Sequence, residues 1–411
     1  MNTEIMAPVG SFDSLMAAIK AGAHSVYFGI EQLNMRARSV NNFTLEELDQ
    51  IVKICKENNV KTYLTLNIVM YDHDLVLMKK ICDAAKKFGV NAVIASDVSV
   101  MVYANSINLS VHCSTQANIS NIEAVKFYAQ FVDLVVLARE LNLQQIEAIC
   151  TTIKKEQIKG PGGDLVKVEI FVHGALCVAI SGKCSMSLAT YNASANRGAC
   201  LQNCRRSYKV TDEETGDELV IDNSYVMSPK DLCTIMFLDK ILKTGVDVLK
   251  IEGRGKSPEY VFTVTTCYRE ALDCFFNGTY TQEKVKVWMK ELEKVYNRGF
   301  WEGGYYLGKK LGEWSGVYGS KATEEKFFLG IVKNYYTDSK IIEFNLQAGT
   351  LHLGDEVLFI GPTTGVVKNK ISFMRVNDLE GSSASKGDNV TFKLLEKVRR
   401  NDKVYVLKKN G

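Results

Sequence analysis

The residues best suited to chemistry lie between His173 and Cys233, where five of the eleven cysteines occur in a stretch rich in small and basic residues. These five are Cys177, Cys184, Cys200, Cys204 and Cys233. Nearby cations and backbone N–H groups lower the pKa of a cysteine and stabilise bound sulfur anions, so this setting suits thiolates that hold a metal or an iron–sulfur cluster. Ordinary buried thiols are the alternative, but those usually lie inside apolar periodic runs.

The spacing of these cysteines favours a cluster over structural zinc. Structural zinc sites usually consist of two short Cys-x2–4-Cys pairs, and only Cys200 and Cys204 are that close together. Cys177 and Cys184 are farther apart, and Cys233 follows a polar hairpin. The remaining cysteines lie mostly in periodic apolar segments and are interpreted as core residues: Cys55, Cys82, Cys113, Cys150, Cys267 and Cys274.

Hydrolytic chemistry would depend on His173. Histidine titrates near neutral pH and commonly transfers protons, although a core histidine satisfied by the backbone is the alternative. A pair of Cys177 and His173 would suit a cysteine peptidase, but such partners are set by the fold and not by proximity in sequence. The sequence contains neither an HExxH nor a GxSxG motif, the signals of metallopeptidases and of α/β-hydrolases.

Composition narrows the class of protein. The net charge of the 411 residues is only +3, so any contact with nucleic acid must come from local patches. The sequence has no apolar run long enough for a transmembrane helix and no signal-peptide pattern at its start. We therefore expect a cytoplasmic protein without membrane contact. In a reducing compartment, eleven cysteines favour metal binding or catalysis over disulfides.

Eight short apolar runs alternate with amphipathic helical patterns, which predicts an α/β fold with a TIM-like (β/α)8 barrel. An open, doubly wound sheet is the alternative. The predicted strands are Glu4–Ala7, Ser25–Phe28, Lys61–Asn67, Ala92–Ala95, Leu109–Ser114, Leu134–Ala138, Val168–Val172 and Val246–Ile251.

Polar residues follow these strands, at the end where barrel enzymes place their active sites. As catalytic candidates we predict His173, Arg197, Glu252 and Arg254. As substrate-binding candidates we predict Arg36, Arg38, Asn67, Asp97, Gln116, Arg139 and Glu140. Any one of them could be a solvated loop residue, but their recurrence after successive strands favours a shared site.

The predicted domain organisation has three parts. Residues 1–280 form the barrel, with a cluster-binding, cysteine-rich insertion at 177–233 that is too long for an ordinary βα loop. Residues 281–325 form a helical and aromatic linker that wraps the barrel. Residues 326–411 carry short alternating runs separated by Gly-Asp turns, which predicts a small all-β barrel.

Several segments resemble the collagenase-like peptidase family U32. The amino-terminal part contains EIMAPVGSFDSLMAAIKAGAHSVYFG and MRARSVNNF, and the later part contains FVHGALCVAISGKC, NRGACLQNCRR, SPKDLC and KIEGRGKSPEYV. The likeness extends over nearly the whole chain, and the order of HGALC, SGKC and NRGAC is specific.

The resemblance implies a function that the family name does not state. Better understood members are oxygen-independent hydroxylation factors with a 4Fe–4S cluster on four cysteines, acting on ubiquinone precursors, ribosomal RNA or the tRNA wobble uridine. The length and the C-terminal β domain look most like those of members that form 5-hydroxyuridine in tRNA, with prephenate as the implied oxygen donor. The implied metal ligands are Cys177, Cys184, Cys200 and Cys233, with Cys204 as the alternative ligand.

Partners and alternatives follow from the same resemblance. Prephenate is a dicarboxylate, which arginine can bind bidentately, and tRNA would be the macromolecular substrate. A second chain of the family is a further candidate partner. A U32 peptidase, and a hydroxylase of another RNA or of a quinone precursor, are the alternative functions. Basic residues of the C-terminal part, such as Lys370 and Arg375, are candidate RNA contacts.

Overall fold

The computed structural model describes residues 3–38, 42–208, 210–216, 218–219, 227–301, 305–308, 313–317 and 319–410. Within them, the first seven strands run parallel and pair in chain order. They are β1 (Glu4–Pro8), β2 (Ser25–Phe28), β3 (Lys61–Leu66), β4 (Ala92–Ala95), β5 (Val111–Cys113), β6 (Leu134–Val136) and β7 (Lys167–Gly174). Nearly all their residues are buried on both faces, as expected for a parallel sheet covered by helices.

Helices cover the outside of this sheet. They are α1 (Phe12–Lys20), α2 (Leu48–Glu57), α3 (Leu75–Phe88), α4 (Val98–Ser106), α5 (Ile122–Tyr128) and α6 (Leu143–Glu156). The hydroxyl of Ser11 accepts the backbone N–H of Ser14 and fixes the start of α1. Thr44 and Glu47 form reciprocal hydrogen bonds just before α2, which begins at Leu48.

The insertion at 177–233 follows β7 and ends in a strand that pairs with the barrel sheet. It contains α7 (Met186–Tyr191), the hairpin strands β8 (Val210–Thr211) and β9 (Glu218–Leu219), and β10 (Asp231–Cys233). β10 pairs antiparallel with the end of β7. The part of the predicted hairpin at 220–226 lies outside the described residues.

The barrel closes at β11 (Val248–Ile251), which pairs in parallel with both β7 and β1. The predicted eight-stranded barrel is therefore confirmed, and each strand lies within two residues of its expected bounds. Helix α8 (Leu238–Lys243) precedes β11 in the chain. The elements that follow β11 are α9 (Pro258–Phe276), α10 (Gln282–Lys294) and β12 (Phe300–Trp301). β12 extends the wall by pairing with β10.

Charged side chains occupy part of the barrel interior. The carboxylate of Glu4 accepts hydrogen bonds from Tyr63 at 2.8 Å and Lys61 at 2.7 Å. On the neighbouring strands β11 and β7, Lys250 Nζ lies 2.7 Å from Glu169 Oε1, and both side chains are almost fully buried. Buried charges are tolerated when they are paired in this way.

The C-terminal part is built from antiparallel sheets, as the sequence predicts. The strands are β13 (Glu324–Tyr336), β14 (Ile341–Leu346), β15 (Thr350–His352), β16 (Glu356–Gly361), β17 (Gly365–Lys370), β18 (Arg375–Val376), β19 (Leu379–Glu380), β20 (Ser383–Ser385), β21 (Asn389–Lys393) and β22 (Lys403–Lys409). The larger sheet has eight strands in the order β17-β16-β22-β13-β14-β21-β18-β19, and the smaller sheet pairs β15 with β20. They enclose an apolar core of their own. The domain boundaries proposed above stay a prediction.

These sheets pack against α1 and α9 of the barrel. Ala17 of α1 lies in an apolar cluster with Leu358, Ile360 and Val366. A Cβ at Gly365 would come within 2.8 Å of the Met16 carbonyl carbon, so only glycine allows this approach. Ion pairs join Lys326 to Glu259 at 2.6 Å and Lys20 to Glu396 at 3.4 Å.

Among the helices that the structure describes, none is both long enough and apolar enough to cross a membrane.

Candidate active site

A cavity of about 160 Å³ lies between the carboxyl ends of the barrel strands and residues 175–208, a segment we call the cysteine loop. The lining from the barrel includes Arg36, Thr65, Asn67, Ser114, Thr115, Gln116, Arg139, Glu252 and Arg254. The lining from the cysteine loop includes Ala175, Leu176, Ser181, Gly182, Ala195, Gln202 and Arg205 together with four cysteines. The cavity thus occupies the position where barrel enzymes carry out their chemistry.

Four thiols face this cavity: Cys177, Cys184, Cys200 and Cys204. Burial raises the pKa of Cys204; Arg205 opposes this shift, and the thiols of the three other cysteines add to it. All four cysteines line the same cavity. Within the described residues, no three Cys, His, Asp or Glu side chains already converge on a single ion-sized position.

Cys233 lies elsewhere. It is fully buried on β10, and its sulfur contacts Met289 Sδ at 3.8 Å and the Tyr268 hydroxyl at 4.0 Å. Burial raises the pKa of this thiol to about 12. The ligand set preferred from the sequence is therefore not brought together, whereas Cys204, its alternative, joins the other three cysteines.

The cysteine loop is attached to the barrel through its backbone. Arg205 donates to the Leu176 carbonyl within the loop and to the Pro229 carbonyl outside it. From the barrel side, the Arg38 N–H donates to the Gly198 carbonyl at 3.2 Å. Gly198 has φ of +81° and faces the Asn34 carbonyl so closely that a Cβ would collide with it. These contacts hold the cysteines at fixed positions over the strand ends.

Three arginines give the cavity a cationic wall. Arg254 donates to Thr65 Oγ1 at 3.1 Å, and its guanidinium is nearly fully buried. Arg139 donates to the Ala175 carbonyl at 3.0 Å and lies 4.1 Å from the centre of the Phe171 ring. Its Nε is buried and has no hydrogen-bond partner among the described residues. Arg36 is the third arginine of this wall. Three guanidinium groups on one side of the cavity suit a carboxylate ligand.

Glu252 is the anion at the centre of this wall. It accepts from Arg36 Nη2 at 3.1 Å and from the Tyr27 hydroxyl at 3.0 Å. Burial alone would raise the pKa of Glu252, but the guanidinium groups of Arg36, Arg139 and Arg254 outweigh burial and lower it. Glu252 is therefore ionised at neutral pH and orients the Arg36 guanidinium.

Arg197 and Arg38 do not line the cavity. Arg197 forms a bidentate ion pair with Asp74, with Nη2 to Oδ1 at 3.1 Å, and lies over the Tyr71 ring at 4.2 Å. The hydrogen bonds from Arg197 lower the pKa of Asp74. Arg38 is exposed, and its backbone N–H donates to the Gly198 carbonyl. The predicted role of Arg197 next to the substrate is therefore not supported by its position.

Asp97 and Glu140 line two separate cavities next to the central one. Asp97 caps α4 through Ser99 and accepts the Met70 N–H at 2.9 Å. Glu140 lies beside Arg139 and the first cysteine of the loop. The other predicted substrate contacts, Asn67 and Gln116, are in the central cavity, where Gln116 donates to Ser181 at 3.1 Å.

His173 faces away from the cavity. Its ring packs among Tyr260, Tyr268 and Phe300, and burial lowers its pKa to about 4. The pairing of β7 with β11 shifts by one residue after Phe171, which marks an irregularity just before His173. Among the described residues that line the cavity, none is a histidine. His173 therefore lies outside the position expected for a catalytic residue.

Lys250 is a cavity residue that the sequence reasoning missed. It lies on β11, pairs with Glu169, and its ammonium is 4.5 Å from the centre of the Tyr27 ring. A signal was available, because a lysine in the middle of the buried run VLKI must point into the barrel and needs a partner. Tyr27, Thr65 and Arg205 were missed as well, without so clear a signal.

Comparison with known proteins agrees with these features. The family model described as Peptidase family U32 matches residues 10–316. A "Collagenase" of Porphyromonas gingivalis is 54% identical over 402 residues, covering 98% of this chain and 97% of that protein. The "tRNA hydroxylation protein P1" of Bacillus subtilis is 33% identical over 370 residues, covering 87% and 83%. The "23S rRNA 5-hydroxycytidine C2501 synthase" of Escherichia coli is 30% identical over 317 residues, covering 75% and 46%. The chain belongs to peptidase family U32.

Proposed function

We propose that the protein is an oxygen-independent, iron–sulfur-dependent RNA hydroxylase. The reaction that we propose is the formation of 5-hydroxyuridine at the tRNA wobble position, with prephenate as the oxygen donor. One observation carries the proposal: four thiols and three arginines face each other across a single cavity at the catalytic end of the barrel. Relatives whose names contain tRNA hydroxylation and rRNA 5-hydroxycytidine synthase support RNA as the substrate.

The donor set fits a 4Fe–4S cluster. Cys177, Cys184, Cys200 and Cys204 supply four sulfur ligands on one side of the cavity, and a cubane cluster is commonly held by four cysteine thiolates. The cysteine loop contains basic residues and no acidic residue, which suits thiolates and an anionic cluster. A bound cluster would supply one-electron transfer next to the substrates.

The opposite side of the cavity suits the proposed oxygen donor, the dicarboxylate prephenate. Arg36, Arg139 and Arg254 can bind carboxylates through paired N–H groups, and the buried Nε of Arg139 is a donor that a ligand can satisfy. Glu252 keeps Arg36 in place by an ion pair at 3.1 Å. A dicarboxylate fits this wall better than a neutral ligand because it would replace the hydration that burial removes from the guanidinium groups.

A peptidase is the second candidate, because the Porphyromonas gingivalis relative is named a collagenase. A thiol peptidase needs a base beside its nucleophile. His173 is buried among aromatic rings, and no histidine is among the described residues that line the cavity. The site geometry therefore favours the hydroxylase.

The deciding experiment starts with strictly anaerobic purification and measurement of the visible spectrum, iron and sulfide. We expect roughly four irons per chain, the stoichiometry of a cubane cluster. The purified protein is then incubated with unmodified tRNA, with and without prephenate, and nucleosides are analysed by mass spectrometry. Formation of 5-hydroxyuridine only with both components supports the proposal. A colourless, iron-free protein that cleaves gelatin would overturn it, and activity that needs a second family chain would identify that partner.

A further inference from the structure

Two exposed tyrosines stand at the catalytic end of the barrel, one in the loop after β3 and one at the end of α7. Tyr71 is 51% exposed and Tyr191 is 47% exposed. Most aromatic side chains of the barrel are buried or half-buried in its core. Exposed rings near a catalytic cavity therefore call for an explanation other than core packing.

An arginine guanidinium lies over the ring of each tyrosine. The Arg197 guanidinium lies 4.2 Å from the centre of the Tyr71 ring, and that of Arg206 lies 5.1 Å from the centre of the Tyr191 ring. Arg206 also donates to the Tyr191 hydroxyl. We call these four residues the aromatic rim. The arginines fix the orientation of the rings while about half of each tyrosine stays accessible.

The aromatic rim is connected to the cavity on both sides. Val69, two residues before Tyr71, lines a side cavity together with Asn67 and binds the Asn196 carbonyl through its N–H at 3.1 Å. On the other side, Asn203 donates to the hydroxyl of Thr190, next to Tyr191, and precedes the cavity-lining Cys204. Both tyrosines are thus attached to segments that form the cavity wall.

The charge of the cysteine loop, which carries Tyr191, favours an anionic partner. Residues 175–208 contain four basic residues and no acidic one. Lys183 and Arg206 are exposed there. Exposed aromatic rings combined with cations bind single-stranded nucleic acid, because bases stack on the rings while the cations neutralise phosphates.

We propose that the aromatic rim binds the unpaired nucleotides that flank the target base of an RNA loop. This inference rests on the proposed function, since it assumes an RNA substrate whose target base enters the cavity. Tyr71 and Tyr191 stack the neighbouring bases, and Arg197 and Arg206 hold the rings in position. Base-paired RNA lacks accessible ring faces and gains no such contact.

The test measures the affinity of the anaerobically purified holoprotein for a fluorescent stem-loop RNA and for a blunt duplex of equal length. Stacking on one aromatic ring typically contributes a factor of about fivefold to 100-fold in affinity. Tyr71→Ala and Tyr191→Ala should each weaken stem-loop binding within that range and leave duplex binding nearly unchanged. Tyr71→Phe retains the ring and should bind the stem-loop like the wild-type protein. Tyr191→Phe retains the ring but loses the hydroxyl that Arg206 contacts, and it should keep most of the affinity that Tyr191→Ala loses.

A matched control is Tyr336→Ala, which removes a tyrosine of equal exposure, 47%, from the C-terminal sheet. We expect this variant to bind the stem-loop like the wild-type protein. Unchanged binding by both rim alanine variants, or an equal loss in Tyr336→Ala, would overturn the inference but not the proposed function. A wild-type holoprotein that binds no RNA, or binds a gelatin peptide instead, would overturn both.

Discussion

The sulfur of Cys233 lies 3.8 Å from the sulfur of Met289, outside the cavity that the four cysteines of the cysteine loop share. The contact belongs to the packing of β10 against α10, and Cys233 is not among the residues that line the cavity. The structure thereby distinguishes between two cysteines that the sequence left as alternative ligands.

The first prediction concerns this pair. Cys204→Ser should lose most of the iron found in the wild-type protein, because one of the four cavity thiols is removed. Cys233→Ser should retain its iron and visible spectrum, and lose about 1–3 kcal/mol of stability through a poorly satisfied buried hydroxyl. Iron, sulfide and absorbance after anaerobic purification measure both. Iron loss in Cys233→Ser with full retention in Cys204→Ser would reverse the assignment.

The second prediction separates two arginines. Arg139→Gln should raise the apparent KM for prephenate about tenfold to 100-fold, since charge-assisted hydrogen bonds contribute about 1.5–3 kcal/mol. Arg197→Gln should leave that KM unchanged and lower the melting temperature, because Asp74 loses its bidentate partner. Donor titrations of 5-hydroxyuridine formation give the comparison. A higher donor KM in Arg197→Gln would restore the role expected from sequence.

The third prediction tests the buried pair of Lys250 and Glu169. Lys250→Met leaves the fully buried Glu169 carboxylate unpaired and should cost about 3–5 kcal/mol of stability. The double variant Lys250→Met/Glu169→Leu removes both charges and should recover most of this loss. Denaturant unfolding of the single and double variants measures the coupling. Additive losses would show that the two groups do not depend on each other.

The fourth prediction concerns acid stability. Burial lowers the pKa of His173 to about 4 in the folded protein, whereas an unfolded histidine titrates near 6.5. Between these values only the unfolded state binds the proton, so stability falls as pH decreases from about 6.5 towards 4. The contribution of His173 is about 1.4 kcal/mol per pH unit in this window.

The variant His173→Gln should reduce this pH dependence, seen as a smaller decrease in melting temperature between pH 7.5 and pH 5.5. His352→Gln is the matched control, because His352 is exposed on the C-terminal sheet and should leave the dependence unchanged. Equal pH profiles of the wild-type protein and His173→Gln would show that burial does not suppress protonation of His173.

Barrel strands could be predicted because their signal is local. Short runs such as Ala92–Ala95 are apolar throughout, and amphipathic helices separate them, so a parallel closed sheet is the simplest arrangement. Arg36, Arg139, Glu252 and Arg254, which the strand-end rule singled out, all line the central cavity. These predictions needed only the direction of each strand.

His173 and Cys204 could not be placed from sequence, for different reasons. His173 ends β7, where a one-residue irregularity in the pairing with β11 changes which side a residue faces, and such irregularities have no reliable local signature. The choice between Cys204 and Cys233 depends on how the insertion folds back onto the barrel. That path is a tertiary property which cysteine spacing does not specify.

The contact between the C-terminal sheets and the helices α1 and α9 has a consequence for folding order. β1 and β11 join at the barrel seam, where residue 4 meets residue 248, so the ring cannot close until most of the chain has been synthesised. The helices packed over that seam are the ones that the last-made sheets cover. The C-terminal sheets therefore stabilise the closed pairing of β1 with β11. A chain truncated after Lys326 would lose this support, and its barrel would open more easily. If such a truncated chain no longer bound RNA, the cause could be the destabilised barrel as well as the loss of RNA contacts on the C-terminal sheets.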